Sequence, residues 1–156
     1  IQRKDFQSEE LHLIFFGKTK YPQQILPLIP VSYTDMGWVS QAEELSQIYS
    51  AADVAVSASL YETFGQTLIE AQSCGCLPVS FGNSGQADII RHKENGYLAD
   101  YQSAESLADG IKWGLTEGKE WVSPEAMRNE VMTKYSGKVV AGQYINLYTN
   151  LLASKL

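Results

Sequence analysis

Short apolar runs alternate along the chain with segments of helical periodicity. Each run is three to nine residues long, and several are bounded by a glycine, a proline or a turn pair such as Asn95-Gly96. Runs of this length are typical of buried strands. They predict strands at 11–16, 31–39, 53–57, 77–81 and 97–99.

Helical patterns and their start signals fill the intervals between the predicted strands. Ser40 and Ser103 are candidate N-caps, and Pro124 is a good first helical residue. Three of the five prolines lie within 21–30, which predicts an irregular connection there. The predicted helices cover 40–51, 65–74, 86–92, 103–116, 125–134 and 137–154.

This alternation of strands and helices predicts an α/β fold. Short apolar strands separated by helices of about ten residues form a doubly wound, Rossmann-like parallel sheet covered on both faces. A helical C-terminal tail follows it. Ligands of such sheets bind at the carboxyl ends of the strands, so we expect the chemistry in the loop at 57–64.

Length and charge exclude several classes of partner. The 156 residues suit a single domain, 1–156, and the chain begins at Ile1 without a signal peptide, which suggests part of a longer, cytoplasmic protein. A net charge of −6 argues against nucleic acids and anionic membranes. No apolar run is long enough to span a bilayer. The thiols Cys74 and Cys76 are interpreted as reduced and structural.

Two acids flank a predicted helix start. Glu62 lies in the loop after the third strand and Glu70 lies within the next helix, while Phe64 and Gly65 open that helix. Amides at a helix start have no partner within the helix, and the helix dipole favours phosphate there. Gly65 to Glu70 spans roughly 7–8 Å along a helix, which is about the distance from a diphosphate to its ribose. Alternatively, both acids are ordinary solvated charges.

The order of motifs resembles the C-terminal half of GT-B-fold retaining glycosyltransferases of family 4. These enzymes carry a Glu-x7-Glu motif with Phe-Gly between its acids, as Glu62, Phe64, Gly65 and Glu70 do here. The resemblance covers about residues 11–115. The other matching motifs are Tyr49…Asp53-Val54, Ser59, Cys74-Gly75, Pro78-Val79, Gly82…Gly85, Asp88-Ile89-Ile90 and Asn95-Gly96-Tyr97-Leu98.

The resemblance implies roles for individual residues. Glu62 is similar to the family's carboxylate facing the donor sugar and is the candidate catalytic residue. The amides of Phe64 and Gly65, with Thr63 and Gln66 beside them, would bind the diphosphate, and Glu70 the ribose diol. The implied place for the nucleobase is the backbone around Gly37 and Val39. The last helix would pack its apolar face, which includes Tyr144, Leu147, Tyr148 and Leu151, against the other half of the enzyme.

Two features depart from the family pattern. The proline after the helix, Pro78, stands one place later than usual, which affects the entry to the fourth strand. The family's Arg and Lys for the diphosphate have no clear match, because Arg3 and Lys4 lie at the start and Lys18 and Lys20 follow the first strand. We expect those cations in a preceding part of the protein.

These observations predict a domain that holds a nucleoside-diphosphate sugar for transfer to an acceptor hydroxyl, with retention. No Asp-x-Asp motif occurs, which favours a metal-independent enzyme without a further cofactor. The acceptor, a saccharide or a lipid, would bind through a missing N-terminal domain, where membrane association remains open. The alternatives are an epimerase, glycogen synthase or phosphorylase relative, or a non-catalytic domain for protein contacts.

Overall fold

A computed structural model describes residues 11–18 and 20–153 of the chain. Arg3, Lys4 and Ser154, on which some predictions fall, lie outside the described residues. The chain divides into two compact units, Ile1–Ile48 and Tyr49–Leu156, and the boundary falls inside the second helix. Each unit is described separately.

The first unit is built on two parallel strands. β1 (His12–Phe15) pairs with β2 (Ser32–Asp35), with His12 opposite Ser32 and Phe15 opposite Asp35. A short helix α1 (Pro22–Ile25) and a 3₁₀ turn (Leu26–Leu28) connect them. These short pieces agree with the irregular connection that the three prolines predict. Helix α2 (Ala42–Ala51) begins two residues after the predicted cap Ser40.

The second unit contains a three-stranded parallel sheet in the order β3-β4-β5. Every strand pairing described in the chain is parallel, as predicted for an α/β fold, and the pairings form two sheets. The elements of this unit are β3 (Val54–Ser57), α3 (Gln66–Ser73), β4 (Leu77–Phe81), α4 (Gln86–Ile89), β5 (Tyr97–Ala99), α5 (Ala104–Trp113), a π-helical turn (Gly114–Gly118), α6 (Lys119–Trp121), α7 (Pro124–Tyr135) and α8 (Gly137–Ala153).

The central strand β4 tolerates the displaced proline. All five of its residues are buried, as expected for a strand covered on both faces. The N–H of Leu77 donates to the carbonyl of Asp53 at 3.1 Å, so the nitrogen of Pro78 faces the opposite side of the strand. Pairing with β5 begins only at Val79. The proline therefore removes no hydrogen bond from the ladder.

The core of the second unit consists of two apolar clusters that share helix α7. Val131 of α7 belongs to a cluster with residues of α3 and α4, and Met127 of the same helix belongs to one with β4 and α5. Burying both residues anchors α7 beside the sheet. The clusters comprise Leu68, Ile69, Ile89, Ile90 and Val131, and Leu77, Trp113, Val122 and Met127.

Several predicted boundaries need correction. The strand predicted at 31–39 ends at Asp35, because Gly37 adopts a left-handed φ of +62° and donates its N–H to Asp35 Oδ1 at 2.9 Å. The helix predicted at 86–92 ends at Ile89, since Ile90 is extended. The helix predicted through residue 116 changes to π-helical geometry at Gly114. Glycine is needed there, because a Cβ would lie 2.7 Å from Val54.

Helix α8 leaves much of its apolar face exposed. Half or more of the area of each predicted packing residue is exposed: Tyr144, Leu147, Tyr148 and Leu151. The partner expected for this face is the other half of the enzyme, so its packing stays a prediction. Among the described residues, no helix combines the length and the apolar character needed to cross a bilayer.

Candidate functional site

Helix α3 begins with a left-handed glycine. Gly65 is the N-cap, with φ +94° and ψ +51°, and the first helical residue is Gln66 rather than Phe64 or Gly65 as predicted. No side chain caps this helix start. Within the described part of the chain, the amides of Phe64, Gly65, Gln66 and Thr67 have no hydrogen-bond acceptor. Together with the helix dipole, these four N–H groups form an arrangement suited to an anion.

The loop before this helix is held firmly around Glu62. The N–H of Glu62 donates to Ser84 Oγ at 3.1 Å, and its carbonyl accepts the N–H of Gly85 at 3.0 Å. Its half-buried side chain has no hydrogen-bond partner among the described residues. The backbone is thus fixed while the carboxylate remains available for a ligand.

The segment 83–86, which we call the clamp segment, makes further contacts with the same loop. Asn83 Nδ2 donates to the carbonyl of Leu60 at 2.6 Å, and the fully buried Gln86 donates from Nε2 to the carbonyl of Ser59 at 3.3 Å. A Cβ on Gly85 would lie 2.7 Å from backbone atoms of Thr63 and Phe64. Two backbones therefore meet here without an intervening side chain.

Glu70 has a tyrosine partner. The hydroxyl of Tyr49, a buried side chain, donates to Glu70 Oε2 at 3.4 Å. Burial, with the nearby Glu70 carboxylate, raises the pKa of Tyr49 above its ordinary value. Tyr49 therefore remains protonated and acts as a donor. Oε2 of Glu70 accepts the hydrogen bond from Tyr49, and the other carboxylate oxygen remains for a second donor.

The segment predicted to meet a nucleobase belongs to the first unit. The carbonyl of Gly37 accepts the N–H of Gly17 at 2.6 Å, and Val39 is buried. A buried Val39 side chain leaves only its backbone for a ligand, and the predicted base contact stays a prediction. Lys18 lies 5.7 Å from the ring of Trp38, a cation–π contact. Lys20 makes a similar contact with Tyr21.

Sequence reasoning missed the residues that hold the site together. Ser84 lies inside the Gly82…Gly85 motif, Gln86 opens a predicted helix and Tyr49 belongs to another matching motif, but none of the three is a predicted site residue. No local signal identifies them, because their partners lie 21 to 27 positions away in the chain. Within the described ranges, no group of three or more His, Cys, Asp and Glu side chains is placed to hold a metal.

A match over most of the chain identifies the family. The family model described as "Glycosyl transferases group 1" matches residues 3–131. The chain belongs to the group 1 glycosyltransferases. The match includes all the predicted site residues of this glycosyltransferase chain, from Gly37 to Glu70.

Curated relatives agree with this assignment, and a solved structure shares the fold. An uncharacterized glycosyltransferase of Methanocaldococcus jannaschii is 31% identical over 118 residues, covering 72% of this chain and 29% of its own length. A glycogen synthase of Xanthomonas campestris is 30% identical over 148 residues, covering 93% and 31%. The crystal structure of Anabaena HepE in complex with UDP and glucose has 22% identity and a TM-score of 0.68, covering 92% of this chain and 40% of HepE.

Two conclusions follow from these comparisons. The fold is that of the C-terminal domain of GT-B glycosyltransferases, with the predicted helical tail. The chain spans about 30% of the length of the curated relatives that it matches.

Proposed function

We propose that this domain binds a nucleoside-diphosphate sugar and presents the sugar for transfer to an acceptor hydroxyl, with retention at the anomeric carbon. The observation that carries the proposal is the start of α3, where four amides without acceptors among the described residues stand between Glu62 and Glu70. Family membership and the UDP and glucose bound to HepE support it. Fixed dipoles aimed at a departing diphosphate are an effective source of catalysis.

Each part of the donor has a candidate partner. Glu62, the candidate catalytic residue, would accept hydrogen bonds from sugar hydroxyls. The amides from Phe64 to Thr67 would bind the diphosphate. Glu70, oriented by Tyr49, would accept from the ribose diol, because a carboxylate can take two hydroxyl donors at once.

Binding of nucleoside diphosphates tests the proposal. We expect calorimetry to detect UDP or GDP binding to the chain, and Glu70→Ala to weaken it roughly tenfold, the value of a charge-assisted hydrogen bond. Glu125→Ala, at an exposed helical glutamate of α7, is the matched control and should bind as the wild type does. Equal affinity of the Glu70→Ala and wild-type chains would refute the ribose role.

A glycogen synthase relative is the second candidate, favoured by the 30% identity over 93% of the chain. Both candidates use a nucleotide sugar and differ in the acceptor. Product analysis on a full-length protein containing this domain separates them: elongation of an α-glucan supports the synthase, and transfer to another saccharide or a lipid supports the leading proposal. We place the acceptor site on a further, N-terminal domain of a cytoplasmic enzyme.

A further inference from the structure

Two exposed tyrosines meet at the carboxyl edge of the three-stranded sheet. Tyr61, in the loop after β3, is 81% exposed, and Tyr101, just after β5, is 42% exposed. Their ring centroids are 6.4 Å apart at an interplanar angle of 63°. Tyr101 also packs edge-to-face on the buried Phe81 at the end of β4, with centroids 6.2 Å apart. We call Tyr61 and Tyr101 the tyrosine pair.

The backbone of Tyr61 is fixed although its side chain is exposed. The carbonyl of Leu60, immediately before it, accepts a hydrogen bond from Asn83, and the N–H of Glu62, immediately after it, donates to Ser84. The backbone position of Tyr61 is thus set by the clamp segment. A ligand would not have to order the main chain here, which favours binding.

Tyr101 is held by a turn that contains a strained residue. Gln102 has a φ of +60°, a left-handed conformation that costs a residue other than glycine about 1 kcal/mol or more. Two hydrogen bonds maintain the turn: Ser103 N–H to the carbonyl of Asp100 at 3.0 Å, and Asp100 N–H to Ser106 Oγ at 2.9 Å. Hydrogen bonding with Tyr61 raises the pKa of Tyr101, so its hydroxyl stays protonated. The fold therefore maintains this ring position at a cost.

The surroundings of the pair select the chemistry of a ligand. Glu62 follows Tyr61 and Asp100 precedes Tyr101 in the chain, so the immediate neighbours of the pair bring carboxylate acceptors and no positive charge for an anionic ligand. An aromatic face suits an apolar ring face, and the acids and tyrosine hydroxyls suit a rim of hydroxyl groups. We infer that the tyrosine pair is a platform for an uncharged hexose ring. This inference rests on the proposed function, in which the hexose belongs either to the donor or to the acceptor.

A cationic ligand fits this geometry less well. Aromatic cages for quaternary ammonium groups surround the charge with several ring faces. The 63° angle between Tyr61 and Tyr101 turns the edge of one ring toward the other, so the two faces do not converge on one point. Tetramethylammonium therefore serves as a contrasting probe.

Calorimetry on the 156-residue chain tests the platform with four probes: UDP, UDP-glucose, maltoheptaose and tetramethylammonium. We expect Tyr61→Ala to weaken the binding of at least one hexose-containing probe roughly tenfold and to leave the affinity for UDP unchanged within about twofold. Tyr61→Phe retains the ring and should restore most of the affinity. Tyr148→Ala removes a tyrosine that is 59% exposed on α8 and should change nothing. An unchanged circular dichroism spectrum verifies that each variant folds.

The four probes distinguish a donor hexose from an acceptor hexose. Loss confined to UDP-glucose assigns the platform to the donor hexose, and loss for maltoheptaose assigns it to the acceptor. The inference is overturned if both hexose probes bind the wild type and Tyr61→Ala with equal affinity, or if neither hexose probe binds. It is also overturned if tetramethylammonium displaces the hexose probes. UDP binding that depends on Glu70 would then leave the proposed donor site standing. Conversely, tyrosine-dependent maltoheptaose binding without UDP binding supports the platform and refutes the donor site.

Discussion

Gly65 illustrates how one residue serves both the backbone and the candidate site. Because Gly65 has no side chain, a diphosphate has room to approach the main chain there. The structure adds a conformational requirement, because the φ of +94° lies in the left-handed region. A Cβ would also lie 3.2 Å from Ile89 Cδ1 and from Leu68 Cδ1. Both effects act at the start of the helix whose amides face the proposed ligand.

We expect Gly65→Ala to lower the free energy of unfolding by about 1–2 kcal/mol, mainly through strain in the left-handed conformation. Urea denaturation measures the change. Gly142→Ala is the matched control: Gly142 lies within α8 with nothing near its Cβ position, so helix propensity should raise stability by about 0.5–1 kcal/mol. Equal stability of Gly65→Ala and wild type would show that the turn relaxes without strain.

At the scale of elements, an ion-pair network joins α7 to the connection between α4 and β5. The guanidinium of Arg91 donates to both carboxylate oxygens of Glu130, and its Nε donates to Glu94 at 2.8 Å. Lys134, one turn further along α7, lies 2.6 Å from Glu130. The hydrogen bond from Arg91 is the main reason why the pKa of Glu130 falls to about 2. A bidentate pair of this kind orients two elements as well as attracting them.

This depressed pKa predicts an acid-dependent contribution to stability. A carboxyl with a lowered folded-state pKa contributes fully above its ordinary pKa of 4.5, and the contribution is lost as pH falls toward about 2. Glu130→Gln should therefore lower the free energy of unfolding by about 1 kcal/mol near pH 7, discounted for partial exposure. The difference from wild type should shrink between pH 4.5 and 2. If denaturation curves gave a constant difference in the free energy of unfolding across that pH range, they would contradict the role of the Arg91–Glu130 pair.

The arrangement of elements was largely predictable, and their ends were not. Strands β4 and β5 match the predicted 77–81 and 97–99, because apolar runs closed by glycine or turn residues carry a strong local signal. The cap Ser103 is confirmed by its bond from the N–H of Ser106 at 3.1 Å. The helix predicted to reach residue 92 ends at Ile89 instead, and His92 forms a bridge with Gly96 that arises only in the folded chain.

At the scale of the whole molecule, we propose that the donor site works without a divalent cation. The amides and the dipole at the start of α3 can meet the negative charge of a diphosphate. The absence of an Asp-x-Asp motif from the sequence motivates this view. The acidic balance of the chain, −6 overall, makes the local amides more important for an anionic ligand.

We therefore expect UDP to bind with the same affinity, within about twofold, in EDTA and in magnesium chloride. Calorimetry in the two buffers measures the difference. Glu70→Ala is titrated in both buffers to verify that the same site is occupied. A tenfold or greater loss of wild-type affinity in EDTA would contradict metal-independent binding.

Periodicity and turn chemistry along the chain were sufficient to establish the α/β class, the order of its elements and the position of Glu62, Gly65 and Glu70 around one helix start. Those signals are local, since each depends on residues a few positions apart. The attachment of the Glu62 loop to Ser84, the partnership of Tyr49 with Glu70 and the meeting of Tyr61 with Tyr101 join residues 21 to 40 positions apart. Such pairs form only when packing of the sheet and helices brings distant segments together, so only the folded chain reveals them.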